Sequence, residues 1–256
     1  MAKQDARKEF KRYWKEARAF LKDDKSMWSW LANLAIAFVI IKFIVYPGLG
    51  LLFGASLPVV AVVSSSMDHG PVDGRLCGVP AESVRGLDEY WIACGAWYEA
   101  RGISKAQFAT YPFKNGFYKG DIMVILGPGR VAVDQGDILV FEAAQRYPII
   151  HRIVNISVDE AGATYYQTKG DHNSVQIRDY VVGSGQAVSR CHQKGSPVPC
   201  PFGVPVTADT PGAKVVFDEA HVTQDQVIGT AVFRIPLLGW VKIWFSEAIG
   251  WFVQLF

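Results

Sequence analysis

The sequence predicts a mostly β chain, folded around an antiparallel sheet and tied to a bilayer at both ends. Three observations carry this. Met27–Tyr46 is long and apolar enough to cross a membrane. Between Pro58 and Phe233, short β-branched runs alternate with Gly, Asp and Pro turns. After Pro236 the chain closes with an amphipathic stretch rich in Trp and Phe. The resulting organisation is a basic segment, 1–26; a transmembrane helix and connector, 27–57; a β-rich domain, 58–235, carrying an insertion at 68–118; and a membrane-associated helix, 236–256.

Half of the 256 residues are apolar, which excludes a disordered chain and leaves enough for one well-packed domain. The net charge of +2 is unevenly spread. Residues 1–26 hold nine Lys/Arg against five acids, so the remainder has 17 bases against 19 acids. A basic head before an apolar helix predicts a cytoplasmic N-terminus, an extracytoplasmic domain and residence in the cell membrane. No nucleic-acid partner is expected, and no cofactor. Four cysteines without C-x-x-C spacing make zinc improbable, and in an external domain the local pairings are Cys77–Cys94 and Cys191–Cys200. Four free thiols are the alternative.

In residues 8–21, aromatic and apolar residues recur at helical spacing among bases, as in a helix on anionic headgroups; a solvated basic tail reads equally well. Ser26 can cap the helix that follows. Its twenty residues to Tyr46 span about 30 Å, with Trp28 and Trp30 at one interface and Tyr46 at the other. Lys42 lies near the outer end, where it can snorkel. Pro47-Gly48 is expected to stop the helix. A cleaved signal peptide competes, but the apolar part is long for one and lacks a small-residue cleavage site, so the anchor is expected to stay.

Pro58–Val63 reads as the first strand. Within the aromatic-rich insertion, Leu87–Ala100 looks helical and Ser104–Thr110 forms a further turn or two. Two near-copies follow, Gly120-Asp-Ile-Met-Val-Ile and Gly136-Asp-Ile-Leu-Val-Phe, each a turn feeding a strand. Tyr147–Val154, Thr164–Thr168 and Val227–Phe233 continue the β pattern, and 183–213 reads as a loop or excursion. In the closing helix Gly239, Lys242, Ser246, Gly250 and Gln254 form one narrow polar stripe bordered by Glu247, and Lys242 and Glu247 near its middle favour lying in the interface or shallow insertion.

The first strand runs into Ser64-Ser65-Ser66-Met67. Ser66 is the candidate nucleophile, and a serine hydroxyl needs a base to remove its proton. Ser64, two residues upstream on an extended chain, shares its face and can donate to an oxyanion beside the Ser66 N–H. His151 is the candidate base, on an apolar strand between Ile149 and Ile153. A core histidine satisfied by a carbonyl is the plainer reading. His69, His172, His192 and His221 sit in polar, turn-like contexts, and no lysine occupies a comparable apolar β context. Asp171 and Asp179 are candidates to orient the imidazole, with loop-stabilising Asx turns as the rival.

Taken together, these segments resemble the signal peptidase I family, in its archaeal and endoplasmic-reticulum Ser-His-Asp type. The resemblance rests on Val63-Ser-Ser-Ser-Met67, Gly120-Asp-Ile, Gly136-Asp-Ile-Leu-Val-Phe, Ile149-Ile-His-Arg-Ile-Val154, Thr168-Lys-Gly-Asp-His-Asn-Ser174 and Val227-Ile-Gly-Thr-Ala-Val-Phe233, in the family's order. It implies a membrane-bound serine endopeptidase that removes signal peptides from preproteins, with the secretion translocon as a further partner. Ser66 would be nucleophile, His151 base and Asp171 the acid. The family's second acid falls where this chain has Gln176-Ile177-Arg178, and Asp179 is the nearest carboxylate. The insertion 68–118 also departs from the family. Two rivals stand beside this reading: a non-catalytic β domain that binds preproteins, and a related peptidase for pilin-like substrates.

Overall fold

The computed structural model describes residues 2–22, 26–143, 147–182, 186–189 and 213–239. The closing helix, the Cys191–Cys200 pairing and His192 lie outside the described residues. The chain divides into two units, Met1–Leu52 and Phe53–Phe256.

The first unit is helical. Helix α1 (Ala2–Leu21) precedes α2 (Met27–Phe53), whose mean hydropathy is 2.2 and whose apolar stretch is not buried. The Ser26 hydroxyl accepts from the Ser29 N–H at 3.3 Å, the expected cap. The expected stop at Pro47-Gly48 does not occur. Residues Ile41–Val45 form a π-helical turn, with the Tyr46 N–H bonded to the Ile41 carbonyl five residues back. That widened turn makes room for a proline ring that would otherwise strike the carbonyl four residues before it. The helix ends instead at Gly54, whose φ of 67° is the left-handed conformation glycine adopts cheaply. Lys42 stands over the rings of Phe38 and Phe43, at 5.6 and 5.4 Å.

The second unit is built on a curled, half-barrel sheet of seven antiparallel strands. In chain order the strands are β1 (Val59–Ala61), β2 (Arg75–Leu76), β3 (Val79–Pro80), β4 (Ile122–Leu126), β5 (Ile138–Phe141), β6 (Ile149–Val158), β7 (Thr164–Lys169), β8 (Arg178–Val182), β9 (Gln186–Ser189), β10 (Ala213–Asp218), β11 (Val222–Thr223) and β12 (Val227–Ile235). The main sheet runs β1-β4-β12-β5-β6-β7-β11, so β12 inserts between the two near-copies. Both copies begin alike. Asp121 accepts from the Tyr118 N–H at 2.8 Å and Asp137 from the Asp134 N–H at 2.9 Å, closing a turn just before each strand. Gly136, at φ 101°, packs so closely that a Cβ would lie 2.2 Å from the Tyr111 ring.

Strand β5 is buried on both faces. Ile138 and Val140 join a core with Met67, Met123, Ile125 and Ile150. Leu139 and Phe141 join another with Ile153, Tyr166, Ile177 and Phe217. The second core is closed by a small sheet, β10-β8-β9, of which β9 falls inside the stretch 183–213 that reads as a loop and β8 and β10 flank it.

The insertion folds into a β2–β3 hairpin and helices α3 (Gly86–Glu99) and α4 (Lys105–Phe108). Tyr90, Trp91, Tyr98, Phe108 and Tyr111 form its core, which Val154 of β6 joins. The Cys77–Cys94 disulfide, one of the two expected pairings, ties the hairpin to α3.

Candidate active site

The site is assembled where β1 leaves the sheet edge. Val62 turns both its N–H and its carbonyl towards β4, bonding the Asp121 carbonyl and the Gly120 N–H at 2.8 and 2.9 Å. Its neighbours Ala61 and Val63 therefore direct theirs outward. Among the described residues no strand pairs on that side. Beyond it, the Ser64 and Ser66 hydroxyls lie 3.1 Å apart, on one side of the chain as their spacing predicts.

The Ser66 segment is held by the turn after β7. The His172 N–H donates to the Ser66 carbonyl at 2.9 Å, the Asp171 N–H approaches the Met67 sulfur at 3.4 Å, and the Phe117 N–H donates to the Met67 carbonyl at 3.1 Å. Gly170 is the wedge between serine and histidine. A Cβ there would sit 2.8 Å from the Ser66 carbonyl oxygen and 2.9 Å from His151 Nε2. The imidazole edge thus faces the serine segment across a residue that has no side chain.

His151 is buried on β6, opposite Leu139 and on the face it shares with Ile153. Its Nδ1 is hydrogen-bonded to Glu219 Oε1, whose other oxygen accepts from the Ile177 N–H. Glu219 is fully buried just beyond β10, and its backbone bonds Thr168 and Ile177. A carboxylate only accepts, so Nδ1 is the donor of this pair, and in the neutral imidazole that leaves the lone pair on Nε2, the tautomer a general base requires.

Asp171 does not orient His151. It is fully buried, and Arg152 grips it with Nε at 2.9 and 3.1 Å and Nη2 at 2.7 Å. His69 Nε2 meets the same carboxylate at 2.8 Å, and the Tyr98 hydroxyl donates to it at 3.0 Å. Burial alone would push this carboxyl up, but the Arg152 guanidinium, helped by His69, holds it well below the ordinary range. Arg152 spends its remaining donors on the carbonyls of Pro112, Phe113 and Gly136. Asp179 lies in β8, opposite Phe217 and Ser189.

Two further expectations change. His69 is not an exposed turn residue: it is buried and stacked on Tyr90, ring centroids 3.7 Å apart. A lysine does occupy a buried β position, Lys169 at the end of β7. Burial pushes its ammonium down to about 8, against the opposing pull of Asp171 and Glu219.

Neither a protein-family model nor a curated protein matches this chain.

Proposed function

We propose that the chain is a membrane-anchored serine endopeptidase that removes signal peptides from preproteins, with Ser66 as nucleophile, His151 as general base and Glu219 as the residue that orients it. The observation that carries this reading is the buried His151, with a carboxylate on one ring nitrogen and the Ser66 segment facing the other. The family resemblance at Ser66 and His151 points the same way.

In this mechanism the cleavage site of the preprotein lies extended along the free edge of β1, pairing through the outward backbone groups of Ala61 and Val63. Ser66 Oγ bonds to the scissile carbonyl carbon while His151 Nε2 takes its proton. Glu219 stabilises the imidazolium. The developing oxyanion is met by the Ser64 hydroxyl and the Ser66 N–H. The C–N bond then breaks, and His151 returns the proton to the leaving amine. Water, activated by the same imidazole, releases the acyl product and restores Ser66. Helix α2 would keep the enzyme in the bilayer that holds the signal helix, converting a bimolecular search into a local one.

The test is cleavage of a reporter preprotein in vesicles by wild type, Ser66→Ala and His151→Ala at matched protein levels. Mature reporter from wild type and none from either variant is the expected result. A wild type that binds the preprotein without cutting it would replace the peptidase by a binding subunit.

A further inference from the structure

Lys169 has an environment that the catalytic scheme leaves unused. It is fully buried, and among the described residues it forms no salt bridge. Its Nζ donates to the Gly170 carbonyl at 3.0 Å and approaches the Asp171 carbonyl at 3.5 Å. Two aromatic rings of α3 cover it, Trp97 at 5.1 Å and Tyr98 at 4.9 Å from the ammonium. The charged groups around it are Asp171 on the turn, Glu219 beyond β10, Arg152 opposite it on β6, and Arg101 after α3.

A buried ammonium without a directly paired carboxylate is costly, and a methionine of similar length would fill the same space without that cost. The position of this one matters. The two carbonyls it reaches begin the turn whose Gly170 abuts both Ser66 and His151, and whose His172 N–H grips the Ser66 carbonyl. We propose that Lys169 is a positioning residue for the nucleophile: caged by Trp97 and Tyr98 of the insertion, its ammonium fixes the Gly170–Asn173 turn in the form that seats Ser66 beside His151. This rests on the reading of Ser66 as the nucleophile. It also gives the insertion a task, since α3 supplies the cage.

The sign of the pH effect follows from the lowered ammonium. Below about pH 8 the folded protein holds Lys169 charged and the turn pinned; above it the proton leaves and the grip weakens. Folding stability moves the other way. Between about 8 and the unfolded value near 10.4 the unfolded chain binds the extra proton, so this group adds stability as pH rises through that window.

The experiment uses the full chain in vesicles as wild type, Lys169→Met, Lys169→Arg and Trp97→Leu, with two readouts. Amide exchange at His172 is followed from pH 6.5 to 9.5, and kcat and KM are measured over the same range. In Lys169→Met at pH 7, His172 exchange is expected to accelerate and kcat to fall about 10²-fold, with KM little changed. The wild-type fall in kcat near pH 8 disappears in this variant, and Lys169→Arg restores part of the rate. Should Lys169→Met fail to fold, Trp97→Leu leaves the lysine in place, and the wild-type alkaline limb should then shift. Unchanged His172 exchange and an unchanged alkaline limb in the folded variants overturn the proposal. A wild type that cleaves nothing overturns the peptidase reading instead, and the exchange result separates the two failures.

Discussion

Asp171 draws three elements to one buried carboxylate: Arg152 from β6, Tyr98 from α3, and His69 from the segment that follows Ser66. Breaking such a pair from one side strands a guanidinium in the interior. Asp171→Asn is therefore expected to cost about 3–5 kcal/mol, measured by chemical unfolding, with activity lost through folding and not through the chemical step. A folded, wild-type-stable Asp171→Asn protein that cannot cut would return this residue to the catalytic group. Strand spacing put Ser64 and Ser66 on one side of the chain, while the roles read for Ser66 and His151 came from the family resemblance. The carboxylate on His151 was hidden, since Glu219 reaches it through the register of β10 against β8, a long-range pairing that no local motif records. His69 and Lys169 were misread for a related reason: their neighbours in sequence do not show it, but in space each side chain is itself covered by aromatics of the insertion.

At the level of elements, the insertion is a brace. Its disulfide stands against the Gly170–Asn173 turn, with the Cys77 sulfur 3.3 Å from the Asp171 carbonyl and the Cys77 N–H bonded to the His172 carbonyl at 3.0 Å. The Tyr90 hydroxyl holds the same Asp171 carbonyl at 2.9 Å. Cys77 and Cys94 close a loop with a separation of 17 residues, for which loop-closure entropy gives about 3 kcal/mol. The paired substitution Cys77→Ser and Cys94→Ser should lower unfolding stability by about that amount, with amide protection lost first at Cys77. Equal stability and equal protection would mean that the aromatic core alone suffices. Helix α3 was legible from its apolar spacing, and the two Gly-Asp turns announced β4 and β5. Strands β8, β9 and β10 were not read, because their sheet is short and flanks a stretch dense in Gly and Pro.

Across the whole molecule, the antiparallel sheet and the apolar N-terminal helix agree with the sequence expectation, while that helix runs further than expected because a π turn absorbs Pro47. Its 27 residues extend about 40 Å, longer than a hydrocarbon core, so a span with tilt or a protruding last turn is accommodated. The functional reading depends on one relay, from Glu219 through His151 to Ser66. Single-turnover cleavage of a vesicle-inserted preprotein by wild type and by Glu219→Gln tests it most directly. Wild type should release the mature protein, and Glu219→Gln, folded with the same thermal midpoint, should be slower by about 10⁴-fold, as expected when an orienting carboxylate becomes an amide. Equal rates from the two chains, or no cleavage by wild type, would contradict the relay.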